Sequence, residues 1–200
     1  MRISIADYGV GNLKSLQNAF WYLGVKSKII RTPEELRRAS KIVLPGVGAF
    51  GYAMRNIRSQ NLETAIKETA QHGTPILGIC LGMQLLLTKS DEGGCFYGLD
   101  LLPGCVKKMP VKLKLPHIGW NQIKSVAHSQ LLADLPDSNY GYFVHSYFCA
   151  LGDSQFVQAT TNYGFTFTSV FVKENIFGVQ FHPEKSQELG LRILQNFAEM

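Results

Sequence analysis

Residues 78 to 82 read Gly-Ile-Cys-Leu-Gly, a G-x-nucleophile-x-G sequence with Cys80 in the central place. The pentapeptide dictates a local shape before it suggests any chemistry. A sharp strand-to-helix turn forces the central residue into a strained backbone conformation, and only small neighbours such as Gly78 and Gly82 avoid a clash. The flanks supply that context: the apolar run Pro75-Ile76-Leu77 comes before, and Leu81, Met83, Leu85, Leu86 and Leu87 favour a helix after it. A helix starting at Leu81 points unpaired N–H groups and its positive end at the sulfur, which favours thiolate over thiol. The Leu81 N–H is also placed to donate to an oxyanion. The competing reading of the same residues is a small buried cysteine between unrelated glycines.

A chain of 200 residues, 46% of them hydrophobic, can bury one good core and is short for two, so residues 1–200 are read as a single domain. Asp7 follows Met1-Arg2-Ile3-Ser4-Ile5-Ala6 too early for a signal peptide, and no apolar run approaches the roughly 20 residues of a membrane span. A cytoplasmic location and no membrane partner are therefore expected. Cysteines 80, 95, 105 and 149 form no C-x-x-C pair, which suggests reduced thiols and no zinc site. The net charge of +5 is spread thinly, so no nucleic-acid partner is expected. The densest basic stretch, Lys107 to Lys114, reads as a solvated edge.

Up to about residue 90, short β-like runs alternate with helical patterns, as in βαβ units over a parallel sheet. Strands are predicted at Ile3–Ala6, Ser27–Ile30 and Lys41–Leu44. Leu13, Leu16, Phe20 and Leu23 share one helical face, Thr32-Pro33-Glu34-Glu35 opens a short helix reaching Ala39, and a further helix covers Leu62–Gln71 before Gly73. Beyond residue 90, short strands are predicted at 122–124, 142–144, 156–160, 165–172 and 176–181, then a helix over Gln187–Phe197. The fold class is α/β: a mostly parallel central sheet flanked by helices, with additional mixed or antiparallel strands in the C-terminal half.

A cysteine nucleophile needs a base within hydrogen-bond reach and a group that orients the base. Of five histidines, His182 and His145 both end strand-like runs, where ligands of open α/β sheets collect, and pattern does not choose between them. Glu184, two residues past His182 across Pro183, tips the choice toward His182 and leaves His145 as a pocket wall. His72 and His128 lie in polar, loop-like surroundings. Gly46, Gly48 and Gly51 spell G-x-G-x-x-G, but after the third strand and with no acid closing a strand about 20 residues on, since Glu63 falls in a helical pattern, so a dinucleotide is not indicated. Peptides freed by Gly46 and Gly48 can instead serve an oxyanion.

In this order, the elbow, the glycine loop and His182-Pro183-Glu184 resemble the class I, or triad, glutamine amidotransferases, whose sheet is flavodoxin-like. Pro116-His117-Ile118-Gly119-Trp120-Asn121 and Phe143-Val144-His145-Ser146-Tyr147 are similar to the branch that serves as glutaminase subunits of imidazole glycerol phosphate synthases. Residues 95–115 match less specifically, and Ile118 stands where Met is frequent. The resemblance implies Cys80 as nucleophile, His182 as acid and base, and Glu184 as its orienter. It implies an oxyanion site from Gly46, Val47, Gly48 and Leu81, and a glutamine pocket from Gln84, Glu92, His145, Ser146 and Tyr147. No metal or organic cofactor is implied. The implied partner is a (β/α)8-barrel cyclase forming a heterodimer, with Asn12, Trp120, Tyr142 and Lys185 near the docking face. A paralogue feeding ammonia to another acceptor, such as a surface sugar, shares these blocks. A silent or regulatory subunit, or a thiol hydrolase with another substrate, is the rival of a different class; the intact Cys80, His182 and Glu184 argue against silence.

Overall fold

The computed structural model describes residues 2–135 and 139–200. Strands β1 (Arg2–Ala6), β2 (Lys26–Ile30), β3 (Ile42–Leu44) and β4 (Ile76–Ile79) alternate with helices α1 (Leu13–Tyr22), α2 (Pro33–Arg37), α3 (Phe50–Ser59) and α4 (Leu62–Gln71). After β4 come α5 (Leu81–Leu85), β5 (Leu87–Ser90), β6 (Phe96–Tyr97), β7 (Leu102–Lys108), β8 (His117–Gln122) and β9 (Lys124–Ser125). The chain closes with β10 (Tyr140–His145), β11 (Tyr147–Leu151), β12 (Val157–Asn162), β13 (Thr166–Lys173), β14 (Ile176–Val179) and α6 (Gln187–Glu199).

The central sheet runs β2-β1-β3-β4-β14-β13-β12-β9, parallel from β2 through β14 and antiparallel beyond it. A four-stranded sheet (β11-β7-β5-β6) and a ribbon of β8 and β10 complete the described strands. The period-2 pattern decides which helices cover which face. Ile42 and Leu44 of β3 point into a core with Leu36, Phe50, Met54 and Ile66 of α2, α3 and α4. Val43, with Ile3 and Ile5 of β1, points into the opposite core with Leu16 and Phe20 of α1 and Ile193 and Phe197 of α6. Apolar burial on both faces, at roughly 25 cal/mol per Å², makes the parallel half the rigid frame.

Several sequence expectations are corrected. The helix after Cys80 stops at Leu85, and Leu87 starts β5 in parallel with β7; every residue from Leu81 to Leu87 is buried, so the run has no polar face by which its helix could be delimited. The helix from Pro33 ends at Arg37, short of Ala39. Residues 122–124 are not one strand: Gln122 ends β8 and Lys124 begins β9. Helix α3, the β8 strand and the β5–β7 strands were not foreseen, although Phe50, Ala53, Met54 and Ile57 recur at one helical face and are all buried. Of the basic stretch, only Lys107 and Lys108 lie in a strand, the end of β7.

Candidate active site

Cys80 sits between β4 and α5 with φ 53° and ψ −108°, a left-handed conformation that costs an L-residue roughly 1–3 kcal/mol. The surroundings enforce it. The Cys80 N–H donates to the Val179 carbonyl at 2.8 Å. A Cβ on Gly78 would lie 2.6 Å from the Gly82 carbonyl oxygen, and one on Gly82 would lie 1.8 Å from the Leu44 oxygen. The elbow thus wedges itself against β3 with no room for a methyl group. As the first residue of α5, Leu81 has an N–H without an intrahelical partner.

His182 follows β14, the parallel neighbour of β4, in a register that pairs Val179 with Ile79. Its N–H donates to the Tyr142 carbonyl at 2.9 Å, while Ser186 Oγ donates to the His182 carbonyl at 2.6 Å and accepts from the Tyr142 N–H at 2.9 Å. The base is therefore stitched to β10 on both sides. His182 Nδ1 lies 3.0 Å from Glu184 Oε1, with both side chains buried, and the imidazole shares the wall of one cavity with Cys80. Burial works against the imidazolium, but Cys80 and Glu184 outweigh it and push the His182 pKa up to about 10.

His145 is arranged otherwise. Its Nδ1 lies 2.8 Å from the Tyr147 carbonyl and its Nε2 3.1 Å from His117 Nδ1. A carbonyl only accepts, so the His145 proton is on Nδ1, and Nε2 accepts from His117 Nδ1–H. His117 Nε2 then accepts from Asn121 Nδ2 at 3.2 Å. Both rings are neutral, and burial lowers each pKa to about 4. Both nitrogens of His145 are occupied within this chain, which leaves His182 as the imidazole free to serve Cys80 across the cavity they share.

Cys80, His182, Gln84, Glu92, Val47, Gly48 and the 145–147 segment surround a cavity of about 390 Å³. A more open depression of about 900 Å³ lies between α1 and β2 beside Trp21, and it has no cysteine or histidine in its lining. Gly46 packs against the elbow, where a Cβ would come 2.7 Å from that of Leu81. Gly48 adopts φ +103° with open space around it, and Val47 is 46% exposed. Before them, the buried Tyr8 hydroxyl donates to the Pro45 carbonyl. Burial raises the Tyr8 pKa and keeps the phenol neutral. Glu92 caps α3, accepting from the Phe50 N–H at 2.7 Å. That carboxylate holds the helix start at which a dinucleotide phosphate would bind.

Four residues of this neighbourhood were not singled out from the sequence: His117, Asn121, Gln180 and Ser186. Gln180 carried a signal, as the one polar side chain in the run Ile176 to Phe181, and it is fully buried.

A sequence model of the family described as glutamine amidotransferase class-I matches residues 4–200. The chain belongs to this family. Among relatives of the amidotransferase, the imidazole glycerol phosphate synthase subunit HisH of Moorella thermoacetica is 48% identical over 99% of this chain and 94% of its own. The subunit of the same name from Chlorobaculum tepidum is 48% identical over 98% of this chain and 99% of its own. In fold, the amidotransferase is similar to a crystal structure titled glutamine amidotransferase, with a TM-score of 0.78 at 18% identity, covering 98% and 97% of the two chains. PurLQS from Thermotoga maritima gives 0.77 at 16%, covering 99% and 97%.

Three residues of the amidotransferase named for docking lie together. Trp120 and Tyr142 pair across the β8–β10 ribbon with ring centroids 5.9 Å apart, and Lys185 Nζ lies 5.7 Å above the Tyr142 ring. Lys185 also lines the cavity. Asn12 is outside this cluster: it is the exposed N-cap of α1, its Oδ1 accepting from the Ser15 N–H at 3.3 Å.

Proposed function

We propose that this chain, as one domain, hydrolyses glutamine at Cys80 and passes the ammonia to a partner, as the glutaminase subunit of an imidazole glycerol phosphate synthase in histidine biosynthesis. The observation that carries the reading is the buried pair of His182 and Glu184 on the wall of a ligand-sized cavity that Cys80 also lines. The thiolate attacks the side-chain amide carbon of glutamine, and the oxyanion is received by the Leu81 N–H and a peptide of residues 46–48. His182 protonates the departing ammonia, leaving a γ-glutamyl thioester. Water, deprotonated by His182, then releases glutamate and the free thiol. Gln84, Glu92, Ser146 and Tyr147 bound the volume that the amino-acid end of glutamine would fill.

The partner in this reading is a (β/α)8-barrel cyclase, which would use the ammonia to form imidazole glycerol phosphate and an aminoimidazole carboxamide ribotide in the cytoplasm. The ribbon beside the cavity mouth supports a docking face there, because Ile118, Trp120 and Tyr140 are 60%, 48% and 46% exposed along it. No described helix is long and apolar enough to cross a membrane. The test is glutamate release by the purified chain, alone and with the cyclase and its ligand. Marked activation on mixing is expected; high activity that the cyclase leaves unchanged would assign the ammonia to another acceptor.

His182→Ala is expected to remove nearly all glutamine hydrolysis, and Glu184→Ala to cost roughly one to two orders of magnitude less, because a positioned base outranks its orienter. Steady-state glutamate release by both variants in the complex checks the order.

A further inference from the structure

The back of the Cys80 sulfur is covered by a side chain that the reaction scheme above does not use. Gln180 is fully buried, and its Nε2 lies 3.7 Å from Cys80 Sγ. We propose that Gln180 holds the Cys80 thiolate as a hydrogen-bond donor, and that Gln84 and the Tyr147 carbonyl keep its amide turned the right way. The proposal rests on Cys80 being the nucleophile and adds a second donor to its sulfur.

The orientation of the amide follows from acceptors that cannot be reversed. Gln84 reaches the Tyr147 carbonyl at 3.1 Å, and a carbonyl only accepts, so the atom there is Gln84 Nε2. The same nitrogen lies 3.2 Å from Gln180 Oε1. Gln180 therefore presents its oxygen to Gln84 and its NH₂ group to the sulfur. The Tyr147 carbonyl that starts this series is itself fixed by the His145 Nδ1–H.

The two protonation states of Cys80 meet opposite partners. The Val144 carbonyl, 3.9 Å from Sγ, can accept only from the thiol. Gln180 Nε2 and the His182 imidazolium favour the thiolate. The other titratable groups coupled to the sulfur are Tyr8, beyond β1, and Cys149, on β11; burial raises both and keeps them neutral. Gln180 is thus a neutral donor that favours the anion without adding a charge to compete with His182 for Glu184.

The experiment is the pH dependence of Cys80 alkylation by iodoacetamide, read by peptide mass spectrometry so that the exposed Cys95 does not contribute. In Gln180→Leu, which removes the donor at similar volume, the midpoint is expected to rise by about one pH unit. Gln180→Glu keeps the acceptor for Gln84 and sets a like charge against the sulfur, so its midpoint rises further. Gln84→Leu releases the Gln180 amide to turn and gives a smaller rise. Midpoints equal to wild type in the variants that fold, by thermal unfolding, would reduce Gln180 to filling space and overturn the proposal. If Gln180→Leu does not fold, the other two decide. Glutamine hydrolysis by wild type in complex with the liganded cyclase is read separately: an inactive wild type with shifted midpoints would sink the glutaminase reading and leave Gln180 standing, whereas an active one with unmoved midpoints would do the reverse.

Discussion

Alanine at position 80 will abolish glutamine-dependent synthesis by the assembled enzyme and leave synthesis from ammonium salts near wild type. The first half follows from the covalent step: without a sulfur there is no thioester, and the loss is on the order of 10⁴-fold or more. The second half follows from where the strain is held. The backbone at residue 80 is fixed by the Val179 hydrogen bond and by the glycines packed at 78 and 82, and none of these uses the side chain. Alanine bears the same left-handed conformation as cysteine, so the elbow and the docking face survive. Imidazole glycerol phosphate formation, followed with each nitrogen source in turn, separates the outcomes. Loss with both sources would mean that Cys80 serves the fold or the assembly.

Gly82→Ala will be damaging in another way. Its methyl group would stand 1.8 Å from the Leu44 carbonyl oxygen, an atom of the central sheet with no rotamer by which to escape. Either α5 or β3 must move, at a cost of about 3 kcal/mol or more against a total stability of roughly 5–15 kcal/mol. The expected result is a melting temperature lower by about 10 °C, or insoluble protein. The informative control is Gly48→Ala, where nothing lies within 4 Å of the added Cβ and the cost is only the strain of φ +103°. Thermal unfolding of the two variants should therefore rank Gly82→Ala far below Gly48→Ala. Equal melting would mean that α5 yields where its packing says it cannot.

Both variants bear on residues that the sequence announced, and the reason is local. A nucleophile elbow, a helix N-cap or a parallel strand is written in neighbouring residues, as the alternation of Ile42, Val43 and Leu44 between two cores shows. Contacts between distant residues leave no such record. Gln180 and Gln84 are 96 positions apart, and His117 and His145 are 28 apart. Each reads by itself as a polar residue in a strand or helix. Helix α3 is legible in principle, since its buried positions keep a helical period, but the G-x-G-x-x-G pattern at 46, 48 and 51 is the only feature that the sequence reading weighs there. The run Leu81 to Leu87 failed for the opposite reason, because burial on every side erases the period that separates helix from strand.

The bond from the Tyr8 hydroxyl to the Pro45 carbonyl acts as a mechanical boundary condition. It anchors the loop at its upstream end, and the seat of Gly46 against Leu81 and Gly82 extends that anchorage by one residue. Rotational freedom is thereby pushed downstream to the Val47–Gly48 peptide, flanked by a half-exposed side chain and by a glycine with open space around it. Downstream, the bond from the Phe50 N–H to Glu92 holds the start of α3, so the loop is a strut clamped at both ends with a single swivel between them. Its carbonyl and N–H can exchange places by a crankshaft turn while the Cα trace stays still.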